Sequence, residues 1–368
     1  MKLSIQRAPL VEALQKIQSV IEKRNTVPIL ANILLQVNAR KVSISATDLE
    51  IALKINLDIE SGTDGKITVS AKQFFDIVKE LPEKTIHLNQ KENGWAEILC
   101  EKIRYNLVTL PAEEFPSLPV FEEREFVEAR TDSLSELIDR TLFAVSTDET
   151  RPHLNGVYLE AQENNLIRMI ATDGHRLSYM DREVFLKMPD FRKGMIIPRK
   201  GVSELRKLLE ETDANIHVSF EKGNLFARIG DTFMSIRLIE AIFPDYRQVI
   251  PQGVEKRILT DRNLLMAALR HVNPMVNEKS RGVKFHIQSN LITLMASNPE
   301  IGEAREDVDV EYQGDSSEIA FNTKYLMDCL AVMKSDQVEI LFKDKFTPGM
   351  IREASQPNHT YVVSQMRI

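Results

Sequence analysis

The chain has 368 residues, 43% of them hydrophobic and 27% charged, and a formal net charge of −7. That balance fits a globular chain of two or three domains and excludes one that binds nucleic acid through overall positive charge; such contact needs a local basic surface. Two cysteines, Cys100 and Cys329, exclude a disulfide scaffold, VPILANILLQV (27–37) is too short to cross a bilayer, and MKLSIQRAPL lacks the apolar core of a secretion signal, so a cytoplasmic protein without membrane contact is expected.

LSIQRAPLVEAL (3–14) predicts a strand running into a helix, with Pro9 in the first turn, where its missing N–H costs little. ISATDLEIAL follows from Ile44, and then VSAKQFFDIVKEL (69–81), a short extended segment, a basic residue and a helix with Phe74, Val78 and Leu81 on one face. After FPSLP (115–119) the Glu-rich VFEEREF marks a boundary near 125, and the series begins again. FVEARTDSLSEL (126–137) reads as strand into helix, with Asp132 placed to cap or charge the helix start. MIATDGHRLS begins at Met169, IPRKGVSELRKLL (197–209) is the second helix, and ANIHVSFEKGNLFARIG alternates as half-buried antiparallel strands do. FPDYR (243–247) repeats FPSLP, and VIPQGVEK marks a boundary near 253. The third series runs through ILTDRNLLMAAL (258–269) with Asp261, LMASNPEIGE from Leu294, and FNTKYLMDCLAVM (321–333). Ala46, Ala171 and Ala296 mark a constant interval of 125 residues. The expectation is an α+β fold of three repeated units, 1–125, 126–253 and 254–368, each with about two helices and several antiparallel strands.

No glycine-rich phosphate loop and no GxSxG elbow occurs, and none of the seven histidines sits at zinc-ligand spacing, so no cofactor and no metal are expected. EDVDVE (306–311) sets Asp307, Asp309 and Glu311 on one side of a strand, a metal-dependent phosphoryl-transfer site or a solvated face. Asp173, His175 and Arg176 lie within four positions, as the acid, base and anion clamp of an active site would. Yet Asp48 stands at the position of Asp173 in the first repeat without His or Arg beside it, which favours a structural turn. Cations recur on the helices: Lys72 with Lys79, Arg199 with Arg206 and Lys200 with Lys207, each pair seven apart, and Arg262, Arg270, Lys324 and Lys334 near others. Repeated cationic helices suit a phosphate backbone contacted without sequence readout. A chain of repeats leaves a strand edge at each end, and complementary ends close a ring. A peptide-binding adaptor with merely solvated basic helices is the third reading.

RNTVPILANILLQV (24–37), SATDLE, KQFFDIVKELP, TLPAEEFPSLP, LNGVYLE, ATDGHRLS, IPRKGVSEL, FPDYRQVIP, NEKSRGVKF and YVVSQMRI together span the chain. In these it resembles the beta subunits of bacterial DNA polymerase III, the replicative sliding clamps. The resemblance implies a non-enzymatic, head-to-tail homodimeric ring with helices lining a central hole and antiparallel sheets outside. It implies sequence-independent hold on double-stranded DNA, an ATP-driven clamp loader, and capture of the DNA polymerase III core, other polymerases and repair proteins through short linear peptides. Carried over, DNA contacts fall on Arg24, Lys72, Lys79, His153, Arg199 and Lys200, and the subunit contact on Tyr105 and Leu107 against Pro274 and Met275. The peptide pocket falls on Leu154, Thr172, Gly174, His175, Arg176, Leu177, Pro244, Arg247 and Val249, with Asn322, Tyr325, Pro348, Val362, Val363, Ser364, Met366 and Arg367. In that reading His175 and Arg176 orient the partner's tail. Many relatives end Met-Pro-Met-Arg-Leu where this chain has Ser364-Gln365-Met366-Arg367-Ile368, a more polar rim, and Pro152-His153 replaces aromatics of some relatives.

Overall fold

The computed structural model describes residues 1–21, 27–121, 124–187, 194–210, 214–278 and 280–367. Its α-helices recur as the repeats predict: α1 (Arg7–Gln18) and α2 (Ala71–Glu80), α3 (Thr131–Thr141) and α4 (Arg199–Glu210), α5 (Arg262–Val272) and α6 (Thr323–Val332). Polar side chains start α2, α5 and α6. Asp261 accepts the N–H groups of Asn263 and Leu264 at 2.8 and 2.9 Å to begin α5, and Asn322 accepts those of Lys324 and Tyr325 to begin α6. An arginine from the first helix of a repeat closes the second: Arg7 donates to the carbonyls of Val78 and Lys79, and Arg262 to that of Leu330. Apolar positions spaced for one face bury Phe74 and Val78 completely, while Lys72 and Lys79 stay exposed.

The strands do not respect the repeat boundaries. Residues 1–131, 185–189 and 203–238 form one compact unit, and 132–184, 190–202 and 239–368 the other. In the first, an eight-stranded antiparallel sheet joins Thr232–Arg237 of the second repeat to Ile51–Asp58 of the first, Met234 opposite Leu53 and Ile236 opposite Ile51. In the second, Arg176–Glu183 pairs with Gln356–Val363 of the third repeat, Leu177 opposite Val362. The strands of the middle repeat are thus divided between the units, each group completing a neighbour's sheet edge with backbone hydrogen bonds. A five-stranded sheet in the first unit ends on Ile103–Val108, and a four-stranded sheet in the second ends on Gly302–Asp309.

The second unit also buries charge. Arg140 of α3 is fully enclosed, with Nη1 2.6 Å from Glu353 Oε2. The pair is close, but its angles are poor for a hydrogen bond, and Oε1 instead accepts the N–H groups of Lys334 and Ser335. His359, fully buried, sets Nδ1 3.8 Å from Glu353 and Nε2 3.1 Å from Ser178 Oγ. That hydroxyl donates to the Arg140 carbonyl, so it accepts from the ring and the proton of a neutral His359 sits on Nε2.

Candidate functional site

The ATDGHR segment folds as a turn built by its own side chains. Asp173 Oδ1 accepts the N–H groups of His175 and Arg176 at 2.9 and 3.1 Å. Thr172 Oγ1 donates to the Arg176 carbonyl and accepts from Gly174 N–H. The first repeat has the same arrangement: Asp48 accepts from Glu50 and Ile51, and Thr47 bonds the carbonyl of Ile51 and the N–H of Leu49. In the third, Asn298 accepts from Glu300. Asp173 is therefore architectural, as its counterpart Asp48 indicates. The third turn residue has positive φ, 91° at Gly174 and 77° at Leu49, so the glycine suits a conformation that side chains disfavour.

Arg176, which the resemblance gives the role of orienting a partner's tail, has its guanidinium engaged by the protein itself. It is 8% exposed. Its Nε meets Asp173 at 3.0 Å, Nη1 meets Asp328 of α6 at 2.8 Å, and Nη2 donates to the Phe143 carbonyl at 2.7 Å. The guanidinium also lies 4.4 Å from the centre of the Tyr325 ring. It braces the wall around the turn, tying it to α6 and to the segment after α3. His175 beside it is exposed, and its carbonyl accepts Ser364 N–H at 2.9 Å.

Strand alternation divides the other pocket candidates between the two faces of the sheet. Thr172, Leu177 and Val362 share the face away from the helices, where Leu177 and Val362 pack with Ile170, Tyr246, Leu341 and Met350. Val363 lies on the opposite face with Tyr361 in the helix-side core, fully buried, so its side chain is no part of a surface pocket. Leu154 is buried after the short turn Pro152–Leu154, while Pro244, Arg247 and Val249 are exposed. Asn322 caps α6, Tyr325 stacks against Arg176, Pro348 is half-buried next to Gly349, which pairs with Val363, and Ser364 and Met366 are half-buried too.

Tyr246 fixes the 243–249 segment, a role that no local pattern of residues marks. Buried to 4% exposure, its hydroxyl donates to Glu160 at 2.6 Å and accepts from Arg168, which grips Asp181 through two 2.6 Å bonds. Burial, then the Glu160 carboxylate, pushes the phenol up to about 12. Phe243 stacks on Tyr158 with centroids 4.7 Å apart, and Arg247 pairs with Glu160 at 3.0 Å. The result is an apolar floor with a polar border, the chemistry of a site for a short apolar peptide.

The DNA polymerase III beta subunit family matches along the chain in all three of its parts: the N-terminal domain over residues 1–119, the central domain over 128–245 and the C-terminal domain over 247–367. The chain belongs to this family. It is 36% identical to the beta sliding clamp of Pseudomonas aeruginosa and 34% identical to that of Escherichia coli, covering 100% of both chains in each case. Among solved structures, the P. aeruginosa DNA polymerase III subunit beta superposes with a TM-score of 0.95 at 35% identity over 100% of both chains. A sliding clamp from the same organism bound to griselimycin gives 0.93 at 35% identity over 100% of both chains. As a beta subunit the chain is a processivity factor and not an enzyme.

The remaining beta-subunit candidates fall as follows. Arg24 lies outside the described residues. Lys72 and Lys79 are exposed on α2 in the first unit, with Lys79 3.9 Å from Glu80. In the second unit, Arg199 and Lys200 start α4, and the Arg199 N–H bonds the Asn155 carbonyl, which brings His153 to that helix end. Several other helix cations serve the fold: Arg262 closes α6, Arg206 pairs with Glu210, Lys207 with Glu204, Lys324 with Asp328 and Lys334 with Glu136. Tyr105 and Leu107 lie on the edge strand Ile103–Val108, and Pro274 and Met275 form a short turn beside the edge strand Gly302–Asp309. On that strand Asp307 accepts from Thr293 Oγ1 at 2.6 Å, and Asp309 is exposed. No group of three or more His, Cys, Asp or Glu side chains among the described residues is arranged to hold a metal.

Proposed function

We propose that two copies close head to tail into a ring that encircles duplex DNA without reading its sequence. The ring tethers the DNA polymerase III core, other polymerases and repair proteins through short peptides seated over Leu177 and Val362, and a clamp loader opens it. As a beta subunit the chain works with DNA and with the polymerase.

The observation that carries the ring is a pair of open strand edges, one in the first unit and one in the second. Ile103–Val108 is exposed along nearly its whole length and is flanked by Lys102 and carries Arg104. Gly302–Asp309 carries Glu303, Glu306, Asp307 and Asp309 against one cation, Arg305. Opposite charge on two open edges favours pairing of one copy's first sheet with the next copy's last, and a head-to-tail contact of this kind gives a ring when the rotation between copies closes. Tyr105 and Leu107 then meet Pro274 and Met275 across the junction. Double-stranded DNA would be held through Lys72, Lys79, His153, Arg199 and Lys200, and loosely enough to slide.

Sedimentation equilibrium tests this directly. The chain is expected to run as a dimer at micromolar concentration and as a monomer after Arg104→Glu with Leu107→Asp. A wild-type monomer, or a dimer indifferent to both changes, contradicts the edge-pairing account.

A further inference from the structure

The residues after the last strand are tied down one by one. Ser364 N–H bonds the His175 carbonyl, and Met366 N–H bonds the Ala320 carbonyl at 2.8 Å. Between them Gln365 Nε2 reaches the carbonyls of Asp344 and Thr347 at 2.6 and 2.7 Å. Two carbonyl acceptors fix the orientation of the amide, since only its nitrogen end can donate. Gln365 Oε1 is left buried with no donor. An acceptor so placed costs free energy until something donates to it.

The loop that Gln365 holds is wound on Asp344, whose Oδ1 accepts the N–H groups of Phe346 and Thr347 at 2.8 and 2.9 Å and the Thr347 hydroxyl at 3.0 Å. Its tip presents Phe346, 70% exposed, with Lys345 Nζ 5.3 Å from the ring centre. Between loop and tail lies a cavity of about 480 Å³, lined by Lys284, Glu318, Lys345, Phe346, Gln365 and Arg367 among others. Three of these side chains are cations and one is an anion, which pairs with Lys284 at 3.6 Å. An exposed aromatic ring and excess positive charge together suit an extended acidic peptide.

We propose that this cavity is an accessory docking site for an acidic stretch continuing from the peptide seated over Leu177 and Val362, with Gln365 as the positioning residue that holds its wall. The proposal rests on the peptide-pocket reading above. Continuity supports it, because Ser364, at the end of the paired strand, hands the chain directly from His175 to Gln365. It also gives the departure at the C-terminus a physical content: a proline at position 365 has no side-chain donor with which to hold the loop.

The test uses a pocket-binding peptide from the cognate replicative polymerase in three forms: unextended, with Glu-Glu added at its N-terminus, and with Glu-Glu added at its C-terminus. One extended form is expected to bind at least fivefold more tightly than the unextended one at low salt. Lys284→Glu with Lys345→Glu removes that gain and leaves the unextended peptide unaffected. Gln365→Leu reduces the gain and speeds amide hydrogen exchange at residues 344–347, while exchange in the strand Arg176–Glu183 stays unchanged. No gain from either extension, or a gain that survives both charge reversals, overturns the proposal. Failure of the pocket reading looks different: the unextended peptide then binds equally to wild type and to His175→Ala.

Discussion

Glu353→Gln is expected to lower the urea-unfolding midpoint of the second unit by the equivalent of about 3–5 kcal/mol, the usual cost of stripping one partner from a buried ion pair. Arg140 would keep its charge in a fully enclosed position with its 2.6 Å counter-ion gone. The double change Arg140→Met with Glu353→Gln should recover most of the loss, because it removes both charges and keeps an amide oxygen for the N–H groups of Lys334 and Ser335. Acid probes the same cluster. Burial works against the Glu353 carboxylate, but the N–H groups of Ser335 and Lys334 and the Arg140 charge outweigh it and hold its pKa down at about 2. Burial likewise lowers His359, which is therefore neutral in the fold. The unfolded chain binds these protons more readily than the folded one, so stability falls as pH falls. The His359 contribution starts to go below about pH 6.5 and that of Glu353, about 3 kcal/mol, between about pH 4.5 and 2. Fluorescence-monitored unfolding from pH 8 to 3 should show the wild type losing stability in both windows and the double variant, which keeps His359, only in the first.

Arg176→Ala is expected to cost about 3 kcal/mol and to weaken peptide binding at least tenfold, because the pocket wall loses its brace. The change leaves Asp173 with only its backbone N–H bonds, leaves Asp328 with Lys324 alone and removes the donor to the Phe143 carbonyl. Arg176→Lys should rescue little, since a single ammonium cannot serve three acceptors in a planar fork. His175→Ala, at an exposed position, should reduce peptide affinity without moving the melting temperature. Paired calorimetry and peptide titration separate the two roles. An Arg176→Ala protein that melts like the wild type and loses only peptide affinity would make Arg176 a direct contact instead.

Local features of this fold were legible in the sequence, and long-range ones were not. The 125-residue interval anticipated paired helices in each repeat, and the shared Asp of ISATDLE and MIATDGH anticipated a turn, because side chain and backbone partners sit two or three residues apart. The partners of Arg176 are different: Asp328 lies 152 residues away, and nothing local marks it. Tyr246 and the Arg140–Glu353 pair are invisible in the sequence for the same reason, although FPDYR itself is a recognisable repeat of FPSLP. Val363 shows a second limit, since adjacent residues of one strand face opposite sides and a contiguous motif cannot be a contiguous surface. The division of the middle repeat between two sheets was hidden because edge pairing is backbone hydrogen bonding, which side-chain patterns do not specify.

Encirclement is the central claim, and retention on DNA of two topologies tests it. The protein is loaded onto nicked circular duplex by its cognate clamp loader with ATP, freed of loader, and followed by gel filtration before and after a single restriction cut. A ring held by topology stays with the circle through moderate salt and is lost within minutes of linearisation. Equal retention on circle and linear duplex, or release from both at the same salt, would mean that surface contacts hold the protein and that no ring surrounds the DNA.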